Sequence, residues 1–587
     1  IHAPTGTGKT FAVWAPPLIE WMNQEKLQKK RPTRLKVLWI TPLRALVEDT
    51  NRSLTELVEG LQLPWTIESR SGDTTGSRKA SQRKKFPTAL VTTPESLSLL
   101  LSYPETRESF SELETVIVDE WHELLSTKRG TQTELCLARL RKWNPLLRTW
   151  GLSATLGNLK QAMATLLGND KEGVLIEGDT RKKFVVKTLI PKNMERFPWS
   201  GHLGGKLVEQ VAQAIEKKTT SLVFTNVRSQ TEYWFDALLG VRPEWKGQIG
   251  IHHGSIDRKE RTVIENRLRT GEIKAVVCTS SLDLGVDFSP VEQVIQIGGP
   301  KGIARLLQRA GRCGHQPGAT STVICVPTQA IELIEYAAAR KSMAKGKIEE
   351  REPLNAPLDL LAQHLITLAL GGGFKEAETI SEIKTAWSYR NLSRQEWDWT
   401  VEFIVRGGKT LQAYDQFKRV VIKDGVYQVP SSLISRFHRM SIGTITSDPA
   451  ITVQFQKGKT LGTIDESFIA RIKKGSHFFF SGKLLTLVRI RDLTAVVKLA
   501  RSGKGVIPVW GGGKFPLSSE LAQSVRERIE QFRLGKTSEP EMKAMQGTLQ
   551  LQNEESHLPA LSEFLIEKTI TNDGVNWFLF PFAGRLA

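Results

Sequence analysis

The run Ala3-Pro-Thr-Gly-Thr-Gly-Lys-Thr10 constrains this chain more than any other stretch. It has the form of a phosphate-binding loop, G-x-x-x-x-G-K-[ST], with Ala3 in place of the first glycine. Gly6 and Gly8 let the backbone curl until successive N–H groups face a common point, which suits phosphate oxygens. Thr5 and Thr7 lie within the curl. Lys9 brings a cation to the β- and γ-phosphates of a nucleotide, and the Thr10 hydroxyl suits Mg2+. Phe11-Ala-Val-Trp14 continues as a helix whose N-terminus adds its dipole to the anion site. A glycine–threonine turn before any helix would look alike, so the reading needs a metal-binding carboxylate on a later strand. Thr115-Val-Ile-Val118 reads as such a strand and ends in Asp119-Glu-Trp-His122. Asp119 is expected to hold Mg2+ through water. Glu120 is expected to orient and deprotonate the attacking water. His122 is expected to sense the γ-phosphate side and pass strain to Ser153 and Thr155.

Short apolar runs suited to buried parallel strands alternate with helical segments: Leu35–Ile40, Ala89–Val91, Thr115–Val118. This alternation predicts a parallel α/β sheet with its active groups at the strands' carboxyl ends. Thr41-Pro42 and Thr93-Pro94 each read as a threonine cap followed by proline at the first helical position. The plan is then written a second time. Leu222-Val-Phe-Thr225-Asn-Val-Arg228 echoes Leu38-Trp-Ile-Thr41-Pro-Leu-Arg44. Ala275-Val-Val-Cys-Thr279 echoes Ala89-Leu-Val-Thr-Thr93, and His252-His-Gly-Ser255 echoes Arg70-Ser-Gly-Asp73. Such similarity marks a duplicated structural unit. The second copy has no phosphate loop and must serve another purpose.

Gln308-Arg309-Ala-Gly-Arg312-Cys-Gly-His315 suggests that purpose. Two arginines three apart share a helix face, and facing a triphosphate they stabilise the charge spread over a transferring phosphoryl group. The second copy would thus supply Gln308, Arg309 and Arg312 to the nucleotide of the first, with Arg312 the principal finger. Nearby, in Thr279-Ser-Ser-Leu-Asp-Leu-Gly-Val-Asp287, Gly285 and Asp287 are expected beside the nucleotide, Asp287 on its ribose. The paired threonine and arginine helix starts fit a sequence-independent grip on phosphates of a single strand. Thr41, Arg44, Gly72 and Thr93 form one grip; Arg228, Gly254, Thr279 and Ser280 form the other. Closing on ATP and opening after hydrolysis would move the grips apart and ratchet the strand.

A net charge of +19 points to a polyanionic partner. The four cysteines, Cys136, Cys278, Cys313 and Cys325, form no C-x-x-C and suggest a reducing, cytoplasmic setting. No apolar run is long enough to cross a bilayer and no signal peptide is visible. The chain opens just before the phosphate loop, so it is expected to be a fragment at both ends. Beyond 350 the pattern changes. Pro357–Leu370, Glu376–Trp387 and Ser393–Val405 read as helices, and Asp424-Gly425 as a hairpin turn, which together suggest a winged helix. From Met440 on, β-branched and aromatic runs predict a β-rich domain with a helix at Ser518–Phe532. The segment Gly535–His557 reads as a polar, flexible insertion. Pro508-Val-Trp510-Gly-Gly-Gly513 places Trp510 among glycines, suited to stacking on a base.

The ordered motifs resemble those of superfamily 2 helicases. Val118-Asp-Glu-Trp-His-Glu-Leu-Leu-Ser-Thr-Lys-Arg-Gly130 is similar to the large helicase-related (Lhr) family, in particular its ligase-associated DEXH-box branch in bacteria. The resemblance covers essentially the whole chain. It implies two tandem RecA-like domains over 1–183 and 184–350, a winged helix over 351–440 and a β-rich domain over 441–587. It implies a 3′-to-5′ translocase, driven by ATP and Mg2+, on single-stranded DNA. Such an enzyme unwinds duplex DNA or RNA–DNA hybrids in DNA repair, beside an ATP-dependent ligase and a nuclease. His315 stands where many superfamily members have arginine, which leaves Arg309 to share the work. The adenine-contacting segment of relatives lies upstream of the phosphate loop. Two other functions fit the same residues: an RNA or RNA–DNA remodelling helicase, and a non-catalytic nucleic-acid clamp.

Overall fold

The computed structural model describes every residue except Thr5, 24–33, Asp170, 179–182, Asn193, 195–203, 285–289, 315–319, 408–417, 444–449, Asp492, Arg501, Lys504, 509–516, 572–573 and 585–587. The chain forms two compact units, Ile1–Thr180 with Glu350–Ile445, and Arg181–Glu349 with Thr446–Ala587.

In the first unit, five strands, β1 (Val37–Ile40), β2 (Ile67–Arg70), β3 (Ala89–Thr92), β4 (Thr115–Val118) and β5 (Arg148–Gly151), form a sheet of order β2-β3-β1-β4-β5. All pairings are parallel. β1, β3 and β4 are buried along their whole length, as apolar runs require when helices cover both faces. Alternate residues feed two cores. Val37 and Trp39 join Trp14, Leu18 and Trp65 on one face, while Leu38 and Ile40 join Leu90, Leu97, Phe110 and Val116 on the other. Trp65 meets Trp14 and Trp21 edge-on at 5.7 and 6.0 Å. Ile1–Ala3 lies beyond β5: the Ser153 N–H donates to Ile1 O at 3.0 Å and the Ala3 N–H to Ser153 O at 3.1 Å. The phosphate loop therefore leaves the sheet beside the carboxyl end of β5.

The winged-helix elements lie in the same unit. Leu358–Leu370, Glu376–Lys384 and Arg394–Arg406 are helices, and the last has a reciprocal Ser393–Glu396 capping box. Gly407 closes it at φ 77°. The wing pairs β12 (Val421–Lys423) with β13 (Val426–Gln428), turning at Asp424 and Gly425 with φ of 52° and 74°. Two successive positive φ values are the type I′ hairpin geometry. Helix Lys128–Trp143 of the sheet domain serves both cores, because Leu135 and Ala138 pack with Leu361, Leu365 and Trp397. Beside them, Glu134 accepts from the Ser388 N–H at 2.8 Å and the Ser388 hydroxyl at 2.9 Å.

The second unit holds six parallel strands, β6 (Phe184–Thr188), β7 (Ser221–Phe224), β8 (Ile249–His252), β9 (Ala275–Cys278), β10 (Gln293–Ile297) and β11 (Ser321–Val326), in the order β6-β11-β10-β7-β9-β8. The β-rich part is a mixed sheet of β14 (Ala450–Phe455), β15 (Thr460–Asp465), β16 (His477–Phe480), β17 (Lys483–Arg491) and β18 (Thr494–Leu499). Helix Ser519–Arg533 follows as expected, but it packs into the core of the six-stranded sheet through Leu521, Val525 and Ile529. The segment read as a flexible insertion is instead helical at Pro540–Ala544 and Gln546–Glu555. Met542, Met545 and Leu549 bury its apolar side in that same core, a helical spacing that the surrounding polar residues mask. Glu541 anchors it, accepting from Arg340 at 2.5 and 2.6 Å and from the Thr188 hydroxyl at 2.6 Å. Two seven-residue strands, β19 (Leu565–Thr571) and β20 (Gly574–Phe580), pair as an exposed hairpin.

Burial pushes the Glu134 carboxyl up to about 7, against the two Ser388 hydrogen bonds. Ionising it therefore costs stability, and that cost grows as pH rises from the ordinary value of 4.5 through 7. Glu134→Gln keeps both contacts if the Ser388 hydroxyl turns from donor to acceptor. At pH 8 the variant is expected to be more stable than the parent by about 1–3 kcal/mol, with the gap closing towards pH 5. Denaturant melts across that range check this; a gap independent of pH would remove the buried-acid explanation.

Candidate functional site

The phosphate loop has the backbone its glycines were expected to provide. Gly6 and Gly8 both sit at φ 80°, and helix Lys9–Met22 starts directly after Gly8. Lys9 Nζ donates to Ala3 O at 2.5 Å and Pro4 O at 2.7 Å, and the Thr7 hydroxyl donates to Pro4 O at 2.8 Å. The lysine thus spans the mouth of its own loop, with Thr10 on the first turn behind it. Thr5 lies outside the described residues.

Asp119 follows the last residue of β4, and its Oδ1 accepts from the Glu120 N–H at 2.9 Å. Burial pushes its carboxyl up; that hydrogen bond and the Lys9 charge oppose the shift. Glu120 has φ 47° and ψ 44°, a left-handed conformation that costs a non-glycine residue about 1–3 kcal/mol. The strain turns the chain sharply at the strand end and sends Glu120 and Trp121 in different directions. Trp121 is buried and donates to Ala162 O at 2.9 Å. His122 is fully buried, and burial lowers its pKa, so the ring is neutral at pH 7. Its Nδ1 lies 3.3 Å from Ser153 Oγ and 3.5 Å from Glu120 Oε2. The expected link to Ser153 is therefore present. The expected link to Thr155 is not: Thr155 Oγ1 is buried with no hydrogen-bond partner among the described residues. A loop that supplies convergent N–H groups and a lysine fits a triphosphate, and Thr10 with Asp119 fits a Mg2+ that takes its other ligands from phosphate and water.

In the second unit, helix Ile303–Ala310 carries Gln308 and Arg309, and Arg312 follows in the next turn. Gln308 and Arg312 are largely buried. Arg309 is 1% exposed, and its guanidinium is committed. Nε donates to Asp283 Oδ1 at 2.8 Å and Nη1 to Gln296 Oε1 at 2.5 Å, and the group lies 4.8 Å over the Phe224 ring. The expectation that Arg309 shares the phosphoryl charge is thereby corrected. Its partner acid lies in a distant loop, which no local pattern betrays. His315, Gly285, Asp287 and Trp510 lie outside the described residues.

The two helix starts expected to grip a strand share the same pattern of hydrogen bonds. The Thr41 N–H donates to Thr92 O at 2.9 Å and the Thr225 N–H to Cys278 O at 2.8 Å. The Thr41 hydroxyl donates to Leu43 O at 3.0 Å and the Thr225 hydroxyl to Val227 O at 3.3 Å. Arg44 and Arg228 each open the following helix. Arg44 Nη1 donates to Asp73 Oδ1 at 3.1 Å; Arg228 Nη1 donates to Ser255 Oγ at 2.8 Å. A Cβ on Gly72 would lie 2.7 Å from the Arg44 guanidinium, so a larger residue there would push that side chain aside. Thr41 is not the helix cap expected, since its hydroxyl serves Leu43 and is fully buried. It therefore shapes the strand end and presents no side chain to a ligand. Thr93 does cap its helix, accepting from the Ser96 N–H at 3.4 Å. Thr279 is buried beside exposed Ser280 and exposed Gly254. Asp73 and Ser255 are the residues the sequence reading missed, although both stand at matched positions in its own repeat.

Among the described residues no cluster of three or more metal-ligating side chains occurs, and no helix is long and apolar enough to cross a membrane.

Three family descriptions match the chain: a DEAD/DEAH box helicase over residues 1–162, a helicase conserved C-terminal domain over 206–316, and the winged helix domain of large helicase-related protein over 341–507. ATP-dependent helicase Lhr-Core of Methanocaldococcus jannaschii is 30% identical over 100% of this chain and 71% of its own length. A Mycolicibacterium smegmatis protein named Lhr helicase/probable uracil glycosylase is 28% identical over 89% of this chain and 38% of its own. Among solved structures, Mycobacterium smegmatis helicase Lhr bound to ssDNA and AMP-PNP superposes with TM-score 0.75 at 26% identity, covering all of this chain and 74% of that one. DUF1998 helicase MrfA bound to DNA shares the fold at TM-score 0.67 and 20% identity, over 86% of this chain and 65% of that one. The chain belongs to the large helicase-related (Lhr) family of superfamily 2, ATP-dependent helicases that bind nucleic acid.

Proposed function

We propose that this chain is a translocase that walks 3′-to-5′ along a single DNA strand and so unwinds duplex DNA and RNA–DNA hybrids. The observation that carries it is the matched pair of arginine-headed helix starts, Arg44 over Asp73 and Arg228 over Ser255, on two sheets of which one has a phosphate loop. Two equivalent phosphate grips and one nucleotide site are what a strand ratchet requires. The Val118–Gly130 run supports placement in the ligase-associated branch, with an ATP-dependent ligase and a nuclease as partners in repair. The relative bound to ssDNA and AMP-PNP supports the same ligand classes for this chain.

In this reading the residues divide the work as follows. Gly6, Gly8 and the helix N-terminus bind the phosphates, and Lys9 exchanges the Ala3 and Pro4 carbonyls for phosphate oxygens. Thr10 and Asp119 would hold Mg2+, which would neutralise charge on those oxygens. Glu120, aimed by its left-handed backbone, takes the proton of the attacking water. Neutral His122 joins Glu120 to Ser153, so a shift at the water reaches the strand end after β5. Arg312 supplies positive charge to the transferring phosphoryl, while Arg309 holds Asp283 and Gln296 in place.

Strand displacement with 3′- and 5′-tailed duplexes, loading on DNA or RNA, tests direction and substrate; unwinding of 5′-tailed duplexes alone would refute the polarity. Lys9→Ala and Glu120→Gln should each abolish ATP turnover and leave strand binding intact. Substantial residual turnover in either removes that residue from the mechanism.

The two arginines should separate cleanly. Arg309→Ala leaves Asp283 buried without its partner and should cost about 3–5 kcal/mol of stability. Arg312→Ala should still fold, bind ATP normally and turn it over far more slowly, approaching the lower end of the roughly 10³–10⁵ attributed to such fingers. Calorimetry and steady-state kinetics on both variants check this; the reverse pattern would exchange their roles.

Arg44→Ala and Arg228→Ala should each weaken single-strand binding, and log K against log[salt] should slope at roughly −0.7 per phosphate contacted. A fluorescence titration at several salt concentrations measures both, and a flat response would dismiss the grips.

A further inference from the structure

Arg228 opens helix Arg228–Val241, and Glu232 stands one turn later on the same face. Glu232 and His253 are both buried. Glu232 Oε1 lies 3.1 Å from His253 Nε2 and accepts from the Ser481 N–H at 2.5 Å; Oε2 accepts from the Gly482 N–H at 2.9 Å. At the other side of its ring, His253 Nδ1 accepts from the Ser255 N–H at 3.3 Å. With Nδ1 accepting, the ring proton sits on Nε2 and goes to Glu232. The Ser255 hydroxyl in turn accepts from Arg228 Nη1 at 2.8 Å. These contacts close on themselves: Arg228 to Ser255, Ser255 to His253, His253 to Glu232, and one helical turn back to Arg228. Exposed Gly254 lies within the closed run, between His253 and Ser255.

The anchor outside this ring of contacts is a tight turn in the β-rich sheet, which belongs to the same unit. Ser481 and Gly482 join β16 to β17 with φ of 54° and 67°, and Phe480 pairs with Lys483 across them. That is the type I′ geometry. A Cβ on Gly482 would fall 2.6 Å from the Phe235 ring, so the turn approaches the helix this closely only with glycine there. The Phe480 ring meets the His253 ring edge-on at 6.3 Å. Withdrawing the Glu232 carboxylate would leave the Ser481 and Gly482 N–H groups and the His253 Nε2–H without their acceptor.

We propose that Glu232 and His253 are positioning residues for nucleic-acid binding. Through Ser255 they hold the Arg228 guanidinium where a strand phosphate meets it, and they key it to the β16–β17 turn. The β-rich sheet thereby takes part in strand binding through a carboxylate that never touches the strand. This inference rests on the role proposed above for Arg228.

The test is fluorescence titration of labelled single-stranded DNA with the full chain at several salt concentrations. The variants are Glu232→Gln, His253→Asn, Ser255→Ala, Arg228→Ala and the Glu232→Gln, Arg228→Ala double variant, with melting temperature and DNA-free AMP-PNP affinity measured for each. Gln keeps the length of Glu232 but sets an NH₂ group against one of its three donors. Asn at 253 keeps an acceptor for the Ser255 N–H and is too short to reach Glu232. Each of the first three variants is expected to bind the strand about 3- to 10-fold more weakly, with a salt slope shallower by up to about 0.7, the share of one phosphate contact. AMP-PNP affinity should stay within about twofold of the parent, and the double variant should bind the strand no more weakly than Arg228→Ala alone. Should Glu232→Gln fail to fold, His253→Asn and Ser255→Ala cut the same ring and carry the test. Folded variants with parental affinity and slope overturn the proposal, and so does a loss that adds to that of Arg228→Ala. Weaker binding at an unchanged slope, or matched by an equal loss of AMP-PNP affinity, marks a purely structural role and overturns it too. Parental strand affinity in Arg228→Ala strikes the grip reading itself, and the positioning role falls with it.

Discussion

A parallel sheet covered by helices on both faces leaves only its two ends open to solvent. That constraint organises both units. Within each of the two sheets all strands run the same way, so the chain turns that follow them gather along one rim of that sheet. The phosphate loop, Asp119, Ser153, Thr93, Thr279 and Arg228 all stand at or just beyond a strand's carboxyl end. None needs a special loop architecture to reach the rim; strand direction brings it there. The price is paid locally, in the left-handed backbone of Glu120 and the φ 80° glycines, where the chain must turn faster than an ordinary residue allows.

A second theme is how added modules are fastened to these sheets. Buried glutamates do it, each accepting from backbone N–H groups or a guanidinium of another segment. Glu134 takes Ser388 of the winged helix. Glu232 takes the Ser481 and Gly482 N–H groups of the β16–β17 turn at 2.5 and 2.9 Å. Glu541 takes Arg340. A carboxylate has several lone pairs and no donor of its own when ionised, so one side chain can satisfy two orphan N–H groups in a place where water cannot. Apolar contact supplies the bulk of each attachment, and the acid fixes its register.

Much of this was legible in the sequence because it depends on local chemistry. The phosphate loop, the acids after β4, the Asp424-Gly425 hairpin turn and the helix that begins at Ser393 each declare themselves within a few residues. The internal repeat showed that two sheets of one kind were present, and it held Asp73 and Ser255 at matched places even though their pairing with Arg44 and Arg228 went unread. What escaped depends on which partner a side chain takes once the chain is folded. Arg309 reads as a second finger until Asp283 and Gln296 are seen around it. Thr41 reads as a cap until its hydroxyl is found turned to Leu43. The polar run after Gly535 conceals Met542, Met545 and Leu549, whose burial needs a core built from residues two hundred positions earlier.

The β15 edge is bonded to the His253–Ser255 turn and the residues after it through the main chain. The Thr463 N–H donates to Ser255 O and the Asp257 N–H to Leu461 O, both at 2.8 Å, and a Cβ on Gly462 would fall 1.9 Å from Ser255 O. A joint of this kind is blind to side-chain identity everywhere except at its one glycine. Substitution along β15 at positions other than Gly462 therefore leaves these bonds in place. The turn beneath it, which presents Gly254, stays stitched to the same backbone atoms throughout.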